Sequence, residues 1–470
     1  MRHLRVYSGC IAMALIATGC ALHEVRQARP TLPSVFAAPP VSAAGSLPEA
    51  HWYDDFGSPE LHALIEQAAA DNLELGMARA RVTQADARAR QAGAAILPSI
   101  DAAGNGNYLA GHSANGSAHE TDWAALLSAS YEVDFWGKNR ATARAASRLA
   151  DASRADRDTV ALTTRAGVAD SYFKILSLRD RSRLAALNLS AAEKLLDVIQ
   201  ARFSAGAANP VELAAQKAAL AAAGLVVPEL GQQEAEVLAA LALLLGRAPE
   251  QFSVESQSLE SLLEPKIGSG LPSELLRRRP DVFMAEAKLQ AADADLLAAR
   301  AALFPSLTLN LSGGVQNPAL NAALLTLSGA GPTLNLGASL TQSIFDRGRL
   351  RAVRAEAQAK DEELVIAYRA AILSALVDVE NALSALDHLQ QARALQDENV
   401  LQSERAFEAA SLRYQAGSGD FLTVLEAQRT LYAARDQYSQ YRFARFQAFI
   451  ALYKALGGGW QVPTTAKEAR

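Results

Sequence analysis

Along most of this chain the apolar positions follow one of two rhythms. Four segments alternate residue by residue. Ile100, Ala102, Gly104, Gly106 and Tyr108 oppose Asp101, Asn105 and Asn107; Trp123, Ala125, Leu127, Ala129, Tyr131, Val133 and Phe135 oppose Ser128, Ser130, Glu132 and Asp134. Leu307, Leu309 and Leu311 oppose Thr308, Asn310 and Ser312; Leu334, Leu336, Ala338 and Leu340 oppose Thr333, Asn335, Ser339 and Thr341. A period of two puts each set on one face of a β-strand. Strands of about ten residues with one apolar and one polar face suit a membrane-spanning barrel; a water-exposed antiparallel sheet alternates in the same way. The aromatics Tyr108, Trp123 and Phe135 at strand ends favour the barrel. Elsewhere the pattern is helical. Residues 138–205 hold no proline and only Gly167, and residues 349–415 hold neither glycine nor proline. Helices of that length reach about 100 Å, and each ends at a glycine turn, Gly206 or Gly417-Ser418-Gly419, suited to a left-handed cap. A return helix follows each turn. The first is predicted to break at Pro228 and Gly231, whereas Phe421 to Leu456 runs without a breaker. The stretches Gly111 to Thr121, with Asn115-Gly116 as a turn signal, and Gly313 to Gly331 are predicted as polar loops.

The pattern is also written twice. Met77-Ala78-Arg79-Ala80-Arg81, leading to Ile96-Leu97-Pro98-Ser99-Ile100, returns 207 residues later as Met284-Ala285-Glu286-Ala287-Lys288, leading to Leu303-Phe304-Pro305-Ser306-Leu307. Asp86 and Asp293 match in the same register, and Arg202-Phe203-Ser204-Ala205-Gly206 recurs as Arg413-Tyr414-Gln415-Ala416-Gly417. A period this long marks a duplicated half-molecule rather than a solenoid. Residues 58–270 form the first repeat, with a helix, barrel strands in 98–136, a long helix pair over 138–246 and an equatorial segment. Residues 271–460 form the second, with a helix, strands in 305–345 and a helix pair over 349–456; 461–470 is a tail. The fold class is therefore mostly α with transmembrane β. Four strands cannot close a barrel, since the smallest membrane barrels have about eight, and open edges cannot face lipid. Three copies give a 12-stranded barrel continuous with a long α-helical barrel, so a homotrimer is predicted.

Composition narrows the setting. The chain has 45 Lys plus Arg against 50 Asp plus Glu, and no basic stripe with interleaved aromatics, which argues against nucleic acid as a partner. After the start, no run reaches 18 apolar residues. Residues 1–19 read as a bacterial export signal, with Arg2 and Arg5 before an apolar core from Ile11 to Ala17. The signal ends at Cys20 in an arrangement that resembles a lipobox, with Ala17 where leucine is usual. Ala21, in place of aspartate, implies sorting to the outer membrane. A plain signal-peptidase site is the alternative. Cys10 falls in the removed segment, so the mature chain has no disulfide. Residues 20–57, with Pro30, Pro33, Pro39, Pro40 and Pro48, are expected to run extended along a surface or stay mobile.

With these features in place, the sequence resembles the outer-membrane factor family, TolC-like proteins, and most of all its lipoprotein branch (the NodT and OprM type). The residues that carry the resemblance span nearly all of the mature chain. They are Trp52 to Phe56 with Pro59-Glu60-Leu61 and Asn72-Leu73-Glu74-Leu75, Tyr131-Glu132-Val133-Asp134-Phe135-Trp136-Gly137, Arg279-Pro280-Asp281-Val282, and Phe304-Pro305-Ser306-Leu307. The resemblance implies an outer-membrane channel-tunnel, lipid-anchored and extending into the periplasm. Such a channel works with a periplasmic adaptor and an inner-membrane pump of the RND type to expel small molecules. It also implies that the two glycine turns form a periplasmic tip where the adaptor docks, with Arg202, Gly206 and Asn209 in the first and Arg413, Gly417 and Asp420 in the second. Glu426, and Thr423 at a position acidic in some relatives, would line the gate. Tyr414 and Glu212 match positions that link neighbouring helices in a closed tip.

No other chemistry competes. His112 and His119 lack carboxylate or thiol partners, which makes a poor metal site. No phosphate loop, nucleophile elbow or paired-cysteine motif is present, so neither cofactor nor catalysis is expected. Asp54-Asp55 and Asp361-Glu362-Glu363 read as solvated faces. Two rivals remain: a duct for type I protein secretion, which neighbouring genes would distinguish, and a periplasmic coiled-coil scaffold lipoprotein without a pore. The scaffold requires sustained a/d seams that the Ala, Arg and Leu mixture does not supply.

Overall fold

The computed structural model describes residues 32–39, 47–113, 116–268, 270, 272–317 and 333–462. Cys20 with the export signal, residues 318–332 of the second predicted loop and the tail beyond 462 lie outside the described residues. A 3-10 turn at Trp52–Phe56 leads into α1 (Pro59–Asp71) and α2 (Leu73–Ala94). A hairpin of β1 (Ser99–Ser113) and β2 (Gly116–Val133) follows, then α3 (Lys138–Ser204) and α4 (Pro210–Leu244). The second repeat contains α5 (Pro280–Ala301), β3 (Ser306–Asn317), β4 (Thr333–Thr341), α6 (Arg349–Gln415) and α7 (Phe421–Ala455). Duplication is preserved in length: α2 and α5 have 22 residues each, α3 and α6 have 67, and α4 and α7 have 35.

Side chains fix where these helices start. Ser58 caps α1 by accepting from Leu61 N at 3.1 Å, and Asn72 caps α2 by accepting from Leu75 N at 2.9 Å. The two longest helices start behind left-handed glycines, Gly137 and Gly348, with φ of 75° and 83°. Carboxylates from just upstream fold back on them. Asp134 accepts from Asn139 N and Arg140 N, and Asp346 accepts from Gly348 N and Leu350 N. Pro228 and Gly231 do not break α4, contrary to the sequence expectation. The helix is held against α3 on both sides of the proline, where Gln216 donates to Ala192 O at 2.7 Å and Arg179 pairs with Glu234 at 2.7 Å. Tertiary contacts thus override the local penalty.

The strands form one antiparallel sheet in the order β1-β2-β3-β4. Its register aligns the four apolar sets. Ile100 faces Ala129, which faces Leu311, which faces Leu336; Tyr131 faces Leu309, which faces Ala338. One sheet face is therefore apolar and exposed. The opposite face carries Asp101, Ser128, Ser312 and Asn335 in one row, and Ser130 donates to Asn310 at 3.0 Å. Most of the first predicted loop is strand, because the ladder continues to Ser113 opposite Gly116.

Below the sheet the helices lie side by side as α2-α3-α5-α6, and farther down as α4-α3-α7-α6. The core sits at the junction of these layers. There Trp52 stacks on Tyr453 with centroids 4.7 Å apart, and Phe56, Phe173 and Phe446 pack edge to face or tilted at 4.9 to 5.9 Å. The two acidic runs are more than solvated faces. Asp55 accepts from the Tyr453 hydroxyl, and Asp54 bonds His62. Asp361 is buried on the face of α6 that also carries Val365 and Tyr368. The equatorial segment between α4 and α5 is strapped on by charge. Arg179 donates to Val254 O and Ser256 O, while Glu60 accepts from Glu255 N and Ser256 N. Burial, the largest single influence, pushes the Glu60 carboxyl up, but the Ser256 hydroxyl together with those backbone donors and Tyr172 holds it below its ordinary pKa. The N-terminal segment runs along the surface, with Ala37 N and Ala38 N donating to Glu380 at 2.6 and 3.0 Å.

Candidate functional site

The two glycine turns lie together at the far end of the helices from the sheet. Their backbones are near copies. Gly206 and Gly417 both have φ 74°; Gly206 N and Gly417 N donate to Phe203 O and Tyr414 O, and the next residues donate to Arg202 O and Arg413 O. These paired bonds are a Schellman closure, which needs a left-handed residue and so selects glycine. Gly419 has a separate reason to be glycine, since a Cβ there would lie 2.9 Å from Tyr414 N.

A direct tie joins the turns. Arg202 Nη1 donates to Tyr414 O at 2.8 Å, and its guanidinium lies 4.4 Å from the centre of the Tyr414 ring. Tyr414 packs with Ile199, Phe421, Val424 and Leu425 in a small apolar cluster that holds the tip together. Its hydroxyl is buried without a hydrogen-bond partner among the described residues. Burial pushes the phenol pKa up, against the pull of Arg202, and nearby Glu212 and Asp420 add to the rise. Glu212 is bonded to Asn209 instead of Tyr414. Asn209 Oδ1 accepts from Glu212 N at 2.9 Å, and Asn209 Nδ2 donates to Glu212 Oε1 at 3.2 Å.

On the other flank Asp420, Thr423 and Glu426 line one open groove of about 820 Å³ with Ser403, Leu422 and Thr430. The anticipated tip residues thus divide into two groups. Arg202 and Tyr414 bind the helix ends to each other and Asn209 with Glu212 caps the start of α4, whereas Asp420, Thr423, Glu426 and exposed Arg413 are presented to solvent. Sequence reasoning missed the Arg202 tie, because the acceptor is a backbone carbonyl 212 residues away and carries no residue-type signal. Exposed Leu422 at the groove was missed too; its place beside the turn was the available clue.

Comparison with known proteins agrees with this architecture. The sequence profile of the family described as "Outer membrane efflux protein" matches residues 64–247 and 271–458. The pyoverdine export outer membrane protein OpmQ of Pseudomonas aeruginosa is 46% identical over 419 residues, 87% of each chain. The cation efflux system protein CusC of Escherichia coli is 31% identical over 464 residues, 96% of this chain and 98% of that protein. Among solved structures, the outer-membrane channel OprN superposes with a TM-score of 0.83 at 26% identity, covering 92% of this chain and 99% of its own. The open state of the Neisseria gonorrhoeae MtrE outer membrane channel gives 0.81 at 28% identity, covering 92% and 97%.

Proposed function

The chain belongs to the outer membrane efflux protein family, and from that premise we propose that three copies assemble into the exit duct of a tripartite efflux system. It is an export channel of the outer membrane, not an enzyme. A periplasmic adaptor docks at the tip, around Gly206, Gly417, Arg413 and Asp420, and an inner-membrane pump of the RND type supplies the energy. Three Glu426 side chains, beside Thr423, line the narrow end of the tunnel, while the Arg202–Tyr414 tie and Glu212 keep each protomer's tip in shape. Cys20 carries the lipid. The cargo is a small molecule of the kind exported by the 46%-identical relative, pyoverdine.

The observation that carries this reading is the sheet. It ends in two edge strands without a partner among the described residues, β1 and β4, and one face presents exposed Ile100, Tyr108, Leu127, Leu311, Leu336 and Leu340. Neither edge nor face is tolerable in isolation. The edges run antiparallel, so β4 of one copy pairs with β1 of the next, and three copies close the ring. Native mass measurement in mild detergent should give a trimer; a stable folded monomer or dimer as the main species contradicts the assembly. Cargo is tested separately, by expressing the chain in P. aeruginosa lacking OpmQ and measuring pyoverdine in the medium. Failure there with an intact trimer removes only the cargo assignment.

A further inference from the structure

The charge is unevenly placed. Although acidic residues outnumber basic ones in the whole chain, 50 to 45, the helix ends beneath the sheet are basic. From Lys138 to Arg148 there are four basic residues and no acidic one, and the same holds from Arg347 to Arg354. Beyond Asp86, α2 ends with Arg88 and Arg90; beyond Asp295, α5 ends with Arg300. Helix stability does not explain this. α3 and α6 present their N-termini here, where the dipole favours anions and opposes cations. Asp134 and Asp346 already supply the caps.

Local pairing does not explain it either. Lys138 pairs with Glu132 and Arg140 with Asp134, yet Arg144, Arg347, Arg351 and Arg354 are exposed and make no ion pair among the described residues. The next copy that closes the ring sets its α2 beside α6, so assembly brings Arg88 and Arg90 to the same level instead of neutralising charge.

The collar sits at a defined depth. The lowest apolar row of the sheet is Val133, Leu307 and Leu340. Immediately below come exposed aromatics: Trp136, stacked on Phe304 at 4.6 Å, with Phe135 and Phe345. The arginines follow. Apolar belt, aromatic girdle, then cations is the profile of a membrane interface. A cleft of about 780 Å³ opens at this level, lined among others by Trp136, Phe304, Lys138, Ser343 and Arg349. Part of the collar faces outward. Arg140 and Arg144 share a face of α3 with Asp151 and Asp158 by helical spacing. Asp158 accepts from Trp460 of the C-terminal segment at 2.9 Å. That segment has to lie outside the tunnel wall for the lumen to stay clear.

We propose that this arginine collar binds the phosphates of anionic phospholipids in the periplasmic leaflet of the outer membrane, fixing the depth of the barrel. Guanidinium groups recognise phosphate bidentately, and each basic residue near an anionic surface strengthens binding about five-fold. Native mass spectrometry of the purified protein, with dioleoyl phosphatidylglycerol or dioleoyl phosphatidylcholine added to the micelles, tests it. Wild type should retain phosphatidylglycerol over phosphatidylcholine by on the order of ten-fold, less as ammonium acetate is raised. The pairs Arg144→Gln with Arg351→Gln, and Arg347→Gln with Arg354→Gln, should each remove most of that preference. Arg405→Gln, exposed on the lower half of α6, should leave it intact. The same spectra report whether each variant assembles normally. No preference in wild type, or a preference that survives both pairs or is lost equally in Arg405→Gln, overturns the proposal. So does a change in the ion selectivity of conductance with lipid retention untouched, which would place the collar's role in the lumen.

Discussion

The two repeats match in helix length yet differ in what those helices bury. In the first repeat α2 buries only Leu75 and Ala78, whereas α5, its 22-residue counterpart, buries eleven residues. α4 buries five residues and α7 sixteen. Met77 and Met284, matched in the duplication, show it residue by residue: the first is 53% exposed and the second is half-buried. Position explains the contrast. α5 and α7 lie between α3 and α6, while α2 and α4 form one open edge of the protomer. α4 is nonetheless the one described helix long and apolar enough to cross a membrane. Its charge pairing with α3 through Glu234 makes it a wall helix, and its apolar surface stays open within one protomer. Duplication thus fixed the lengths, and position within the protomer set how much each helix buries.

The largest expected effect separates the inner helix from the edge helix. Phe446 of α7 is 1% exposed in the aromatic core, so Phe446→Ala should cost about 3–5 kcal/mol in unfolding experiments. Leu225 and Leu243 lie on one exposed face of α4, five turns apart. Replacing both with serine should leave helix content unchanged in circular dichroism but lower the trimer fraction in native mass spectra. Each leucine buried on assembly contributes about 1.5–3 kcal/mol. If the leucine pair unfolds the protomer while the trimer persists wherever folding does, the edge interpretation of α4 fails.

A smaller effect tests the turns. Asn209 caps α4 through its side chain, whereas Asp420, its counterpart, makes no capping hydrogen bond to α7. Asn209→Ala should therefore cost about 1 kcal/mol, and Asp420→Ala less than about 0.5 kcal/mol. Comparing midpoints of thermal unfolding decides it. Equal losses would mean that the two turns are held in the same way.

Much of this was legible in the sequence because it depended on local rules. Alternation located four strands, and the register then placed every apolar set on one face. The lack of proline and near-absence of glycine revealed α3 and α6, and Gly206 and Gly417 marked their ends. What was not legible depended on partners distant along the chain. Pro228 looks like a breaker until Gln216 and Glu234 are seen clamping α4 on either side. Asp361 looks solvated until it is seen on the buried side of α6. At the tip, residue types identified the participants but not the grouping, because Arg202 meets a carbonyl that any residue would provide.

The smallest expected effect concerns Glu426, a charge that the duplication does not share. At the 211-residue offset relating α4 to α7, Glu426 corresponds to Ala215, so only the second return helix brings a carboxylate to this level. Glu426 is exposed in the groove with Asp420 and Thr423. In a trimer three such carboxylates would face the narrow end of the tunnel, and a ring of like charges there attracts cations and excludes anions. Single-channel recordings of the purified protein should show cation selectivity, which Glu426→Ala should lower by about two- to three-fold. Ala215 itself packs on the apolar tip cluster, and Glu362→Ala, high on α6, should change nothing. If Glu426→Ala leaves the permeability ratio unmoved, the two return helices are equivalent toward the lumen. The asymmetry between the repeats then stops at packing, and the constriction lies elsewhere.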